Sequence, residues 1–155
     1  MRKYLVVAML GVVAFALLAL PAGAQEGRPF NLVLTPSGDP DGSGAAVITI
    51  NPGRQSVCYD ITAEGITAPV EPAPGIGSAH IHTHEGGGIA VDLDTVFEPA
   101  NGGFASSGCV EDVDRAMLVD ILRDPANFYL NVHTAEAPGG AVQADLGRGG
   151  AAAGR

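Results

Sequence analysis

Residues Ser78–Glu85 read SAHIHTHE, and a second stretch far along the chain, Tyr129–Thr134, reads YLNVHT. Together they hold all four histidines of the protein: His80, His82, His84 and His133. In a β-strand, residues two apart point to the same face. Extended, Ser78–His84 sets His80, His82 and His84 in a row on one face, with Ala79 and Ile81 on the other. The second stretch repeats the pattern. Phe128, Leu130 and Val132 share one face, and Tyr129, Asn131 and His133 share the other. Both read as strands with one face suited to a core and one suited to polar chemistry.

The segments around them follow the same period. Pro29–Pro36 (PFNLVLTP) reads as a first strand and Ser37–Ser43 (SGDPDGS) as a turn cluster. Ala45–Asn51 sets Ala46, Ile48 and Ile50 against Val47, Thr49 and Asn51. After the Asn51-Pro52-Gly53 turn, Ser56–Ala63 sets Val57, Tyr59 and Ile61 against Cys58, Asp60 and Thr62, which predicts a hairpin. Pro69–Gly77 is a Pro/Gly-rich loop, Gly86–Gly88 closes the histidine strand, and Ile89–Leu93 is a short strand. Asp94–Ser107 is irregular. Glu111–Arg123 is the one helical candidate, with Asp112 as its cap and Asp124-Pro125 as its stop. After Phe128–Thr134, the turn Pro138-Gly139-Gly140 leads into a final strand, Ala141–Leu146. Eight or so short strands with one short helix predict an all-β, antiparallel, Greek-key-like β-sandwich, with a closed barrel as the alternative.

The ends of the chain read differently. Arg2 and Lys3 precede an apolar run of 16 residues, Leu5–Leu20, and Ala22-Gly23-Ala24 supplies a small-x-small cleavage pattern. Residues 1–24 therefore read as a secretory signal peptide, too short and too cleavable for a membrane span. The domain is expected over 25–146 and a disordered Gly/Ala-rich tail over 147–155. Export makes Cys58 and Cys109, the two cysteines of the chain, an expected disulfide. Without Arg2 and Lys3, six basic residues face 17 acidic ones. No basic patch exists to neutralise phosphates, so nucleic acid is excluded as a partner. No membrane association is expected after signal cleavage.

The histidine rows point to a metal. Same-face histidines on a strand lie about 7 Å apart at Cα, and their rings can lean toward one ion at metal–nitrogen distances of about 2.0–2.1 Å. His133, from a distant strand, can add a further nitrogen. Imidazoles favour copper, zinc or nickel over magnesium or calcium. Asp60 and Glu85 are candidate acceptors for imidazole N–H groups. The competing reading makes the histidines structural, tying two strands together by hydrogen bonds. Other constellations are thin. Ser106-Ser107 sits in no G-x-S-x-G context, Asp92 and Asp94 lack the rest of a calcium loop, and Gly86–Gly88 does not open a helix as a phosphate cradle does.

In order, SVCYDIT, SAHIHTHEGG…IAVDL and FYLNVHTAEAPGGAVQADL resemble the blocks of the CHRD (chordin) domain, over about Asn31 to Leu146. The family usually carries Glu-Ile-Arg in the last strand, where this chain has Ala141-Val142-Gln143. The resemblance implies a secreted β-sandwich module, part of a growth-factor antagonist in animals, and brings no catalytic residues. His80-Ile81-His82, the Gly-rich turn and the strand end Val132-His133 are also similar to the copper ligands of copper/zinc superoxide dismutases. Those enzymes need a second His cluster, and no histidine lies between Gly86 and Tyr129.

The expectation is a secreted or periplasmic, non-enzymatic CHRD-type binding module. Copper or zinc would be held by His80, His82 and His133, with His84 beside them. The alternatives are a copper-dependent, dismutase-like oxidoreductase and a metal-free module that binds an extracellular protein.

Overall fold

A computed structural model of the chain describes residues 27–69 and 75–148. The expected signal peptide and residues 149–155 of the expected tail lie outside them. Among the described residues are nine strands: β1 (Arg28–Pro36), β2 (Ser43–Asn51), β3 (Ser56–Glu64), β4 (Ala79–Thr83), β5 (Ile89–Asp92), β6 (Glu98–Ala100), β7 (Gly103–Val110), β8 (Phe128–Val132) and β9 (Val142–Asp145). One helix, α1 (Arg115–Arg123), lies between β7 and β8. No helix among the described residues is long and apolar enough to cross a membrane.

The alternation read from the sequence is the alternation of burial. Ala46, Ile48 and Ile50 on β2, and Val57, Tyr59 and Ile61 on β3, all face the core. Every pairing is antiparallel, in the order β5-β4-β8-β9-β1-β2-β3-β7-β6. The fold is therefore all-β, and the two layers of the sandwich are halves of one curled sheet. Strand β1 makes the join. Arg28–Leu34 pair with β2, while Thr35 and Pro36 pair with β9. The chain crosses between the halves after β3, after β5 and after β7, in the manner of a Greek key.

The core between the halves gathers Phe30, Leu34, Ile48, Ile61, Ile81 and Leu130, each at most 1 % exposed. Leu118 and Ile121 of α1 join the same cluster. Burying a Leu, Ile or Phe side chain contributes about 1.5–3 kcal/mol, so this face dominates the stability of every strand that shares it.

Three sequence expectations shift. The helix begins at Arg115, not near Glu111, and its cap is Asp114, whose carboxylate accepts from the Ala116 N–H at 2.8 Å. Asp112 lies in the left-handed region at φ 59°, and the next N–H, that of Val113, donates to the Gln55 carbonyl at 2.9 Å. That long-range bond keeps the chain out of the helix as far as Asp114, so α1 starts four residues later than expected. The irregular stretch after Asp94 contains β6 and most of β7. Gly147 and Arg148, expected in the tail, belong to a 3-10 turn, Leu146–Arg148. A Cβ at Gly147 would stand 2.7 Å from the Cα of Ala126, so only glycine lets this turn meet the one at Pro125–Asn127.

Cys58 and Cys109 are directly paired across β3 and β7 and form a disulfide. Their separation of 51 residues corresponds to about 4 kcal/mol in the chain-entropy account. The double variant Cys58→Ala/Cys109→Ala is expected to lose about 2–4 kcal/mol of unfolding free energy in urea titrations. An unchanged midpoint and slope would show that the cross-link adds nothing to the paired strands.

Candidate metal centre

Pairing between β4 and β8 builds the site. His80 lies opposite Asn131 and His82 opposite Tyr129, so these side chains share one face of the sheet. Ala79, Ile81, Leu130 and Val132 face the core on the other side and are fully buried. His133 follows β8 directly, and its N–H donates to the Ser78 carbonyl at 2.9 Å. The start of β4 is fixed in turn by Thr95, whose hydroxyl accepts from the Ala79 N–H at 2.8 Å.

The three rings converge. Centroid separations are 4.9 Å for His80–His133, 5.4 Å for His80–His82 and 5.7 Å for His82–His133. One nitrogen from each ring lies within 4.8 Å of the others. Ligands about 2.0–2.1 Å from one ion stand about 3.3–3.6 Å apart, so the rings must draw in by roughly an ångström to close on a metal. Relative exposure is 1 % for His80, 8 % for His82 and 5 % for His133.

Two of the rings are oriented by the turns that follow them. The His82 Nδ1 lies 3.1 Å from the Gly87 carbonyl, and the His133 Nδ1 lies 3.0 Å from the Pro138 carbonyl. A carbonyl only accepts, so each Nδ1 carries the proton and each Nε2 presents a lone pair. These two Nε2 atoms and both nitrogens of His80 are buried without a hydrogen-bond partner. Leaving a buried polar atom unpaired costs about 1–3 kcal/mol, and folded proteins pair nearly all of them. Imidazole lone pairs gathered at one point are the donor set of a copper or zinc ion. The residues therefore fit a metal of this class.

Burial also favours the neutral form of His80 and His133. It is the main cause that pushes His80 down from 6.5 to about 4, helped by His133 and His82 and opposed by Asp92 and the Gly77 backbone. Burial likewise lowers His133, against the bond to Pro138 and with help from His82.

The other expected residues stand elsewhere. His84 lies past the end of β4, is exposed, and places its Nε2 3.1 Å from the Asp145 carboxylate. The Tyr129 ring contacts both His84 (4.8 Å) and His82 (5.2 Å, stacked), which separates His84 from the cluster. Asp60 is exposed on β3, in the other half of the sheet, and Glu85 is exposed in the turn after β4. The carboxylate that does face the cluster is Asp92, 3.9 Å from the His80 Nε2. Sequence reasoning considered Asp92 only for calcium. The signal that could have found it is the β4–β5 hairpin, which sets Asp92 opposite His80. Asn131, on the same polar face, makes a local hydrogen bond of the kind its place beside His133 suggests. Its Nδ2 donates to the Gly139 carbonyl at 3.0 Å, and Gly140, at φ 121°, leaves room for the amide where a Cβ would collide with it.

A pH dependence follows from the lowered histidines. Above about pH 6.5 they are neutral both folded and unfolded. As pH falls from there toward about 4, the unfolded chain takes up protons that folded His80 refuses, so stability is lost across that window. Urea unfolding at a series of pH values is expected to show the decline, and a His80→Phe variant a shallower one. Identical slopes would place the His80 titration outside that window.

The CHRD domain family model matches residues 22–146. No curated protein matches the chain, and no solved structure does.

Proposed function

The chain belongs to the CHRD domain family, and on that premise we propose that it is an exported, non-enzymatic binding module whose ligand is a transition metal ion. His80, His82 and His133 hold the ion, which is copper or zinc. One observation carries the reading: three buried imidazoles converge with nitrogens that have no other partner. The expected signal peptide and the Cys58–Cys109 disulfide support a secreted or periplasmic location, because such bonds persist in oxidising compartments. When bound, the metal adds Lewis acidity, and copper adds one-electron redox capacity.

The chain's own residues supply the rest. The Gly87 and Pro138 carbonyls hold two rings with Nε2 free, and the apolar faces of β4 and β8 fix the spacing. No second imidazole group adjoins the three: among the described residues, the remaining histidine, His84, is engaged with Asp145. A bound ion used in recognition or storage suits this arrangement better than a paired-metal oxidoreductase.

The test is calorimetric titration of the mature protein with copper(II) and zinc, followed by a superoxide-consumption assay. Binding tighter than about 1 μM without turnover is expected. His80→Ala and His133→Ala are each expected to weaken it at least tenfold, whereas His84→Ala leaves it unchanged. Turnover would transfer the chain to the dismutase-like reading. Absence of binding at about millimolar metal would leave a metal-free protein-interaction module.

A further inference from the structure

His80 differs from the other two histidines of the cluster. His82 and His133 each commit Nδ1 to a backbone carbonyl, which settles their tautomers. Neither nitrogen of His80 makes a hydrogen bond of normal geometry; the Gly77 backbone lies near enough to favour its protonated form, but less strongly than Asp92 does. The His80 Nε2 lies 3.9 Å from an oxygen of Asp92. That oxygen is fixed from behind, accepting from the Gly77 N–H at 3.1 Å and the Asp94 N–H at 2.9 Å.

The approach of Asp92 is built into the sheet. Asp92 is the residue directly opposite His80 on β5, so their side chains leave the same face. The register then slips: Ile81 faces Val91, but His82 faces Ile89. The extra residue, Ala90, is a bulge, and bulges re-aim side chains. Here it lets Asp92 stay in step with His80 while the turn that binds His82 keeps its own geometry.

An imidazole that ligates a metal through one nitrogen carries its proton on the other, and that proton turns toward an acceptor. For His80 the anionic group on the Nε2 side is Asp92, at 3.9 Å a charge contact longer than a hydrogen bond. We infer that Asp92 is the positioning residue of the site: it holds the His80 proton on Nε2 and turns Nδ1 toward the ion. The site is then built from one Nδ1 and two Nε2 donors. This rests on the metal reading for its purpose; the ring assignment is testable in the metal-free protein. A carboxylate behind one ligand also raises that ligand's basicity, so Asp92 tunes affinity without touching the ion.

The first test needs no metal. Protein labelled with 15N at histidine is studied near neutral pH by long-range 15N–1H correlation, which distinguishes the two neutral tautomers. His80 is expected as the Nε2–H form, and His82 and His133 as the Nδ1–H form. Finding His80 as the Nδ1–H form overturns the assignment.

The second test is Asp92→Asn. It keeps an oxygen for the Gly77 and Asp94 N–H groups, but removes the negative charge and can offer an N–H to the ring. Copper(II) affinity is expected to fall about 10–100-fold, with a changed electron paramagnetic resonance spectrum and a thermal midpoint close to the parent's. Asp60→Asn, altering a carboxylate in the other half of the sheet, is expected to bind as the parent does. Parental affinity and spectrum in Asp92→Asn would overturn the positioning role. If the parent itself binds neither copper nor zinc, the metal reading falls, and the tautomer spectrum alone decides whether Asp92 sets the ring.

Discussion

Everything distinctive in this molecule depends on the pairing of β4 with β8. The two strands lie about fifty residues apart in the chain, so closing that loop costs conformational entropy before any contact offsets it. What offsets it is the apolar face: Ala79 and Ile81 on one strand, Leu130 and Val132 on the other, all inaccessible to water. The polar face gains its geometry as a by-product. Once the core fixes the register, His80, His82 and His133 are brought together whether or not an ion is present. Four of the six ring nitrogens are thus left unpaired by forces acting on the opposite side of the sheet. That order of cause and effect is what is expected of a preformed site, and it contrasts with small domains whose folding waits for the metal.

The strands with strict alternation were legible in the sequence because one face is buried along their whole length. On β2 and β3 a shift of one residue would expose Ile48, Ile50 and Ile61 together. Strand β7 gave no such sign. Its middle, Ala105–Cys109, is small or polar on both faces, and its order comes from pairing with β3 and from the disulfide. The helix was visible, but its start was not, since Asp112 and Asp114 are equally good caps on paper. The Gln55 carbonyl, 58 residues before Val113, decides between them.

The same division applies to the site. The three clustered histidines could be read from period-two spacing and from two histidine-bearing strands with apolar backs. The supporting carboxylate could not. Asp60 and Glu85 lie close to the histidine strands only on paper, whereas Asp92 reaches His80 through a hairpin register that includes a bulge at Ala90. A bulge changes the phase of a strand and leaves no mark in its composition. His84 misled for the opposite reason. Its spacing continues the row, but β4 ends at Thr83, so the period no longer governs where the next ring goes.

Strand β1 borders both halves of the sheet, and its partner across the seam, β9, is the last strand of the domain. The beginning and the end of the fold are thus neighbours, and no N-terminal fragment can close the sheet. A chain leaving a ribosome or a translocation channel can pair β1 with β2 early but cannot join the two halves until β9 arrives. His133 comes free only shortly before that, so closing the sheet waits for β9. Such a topology puts its aggregation risk in the nascent chain and favours passage across a membrane in the unfolded form.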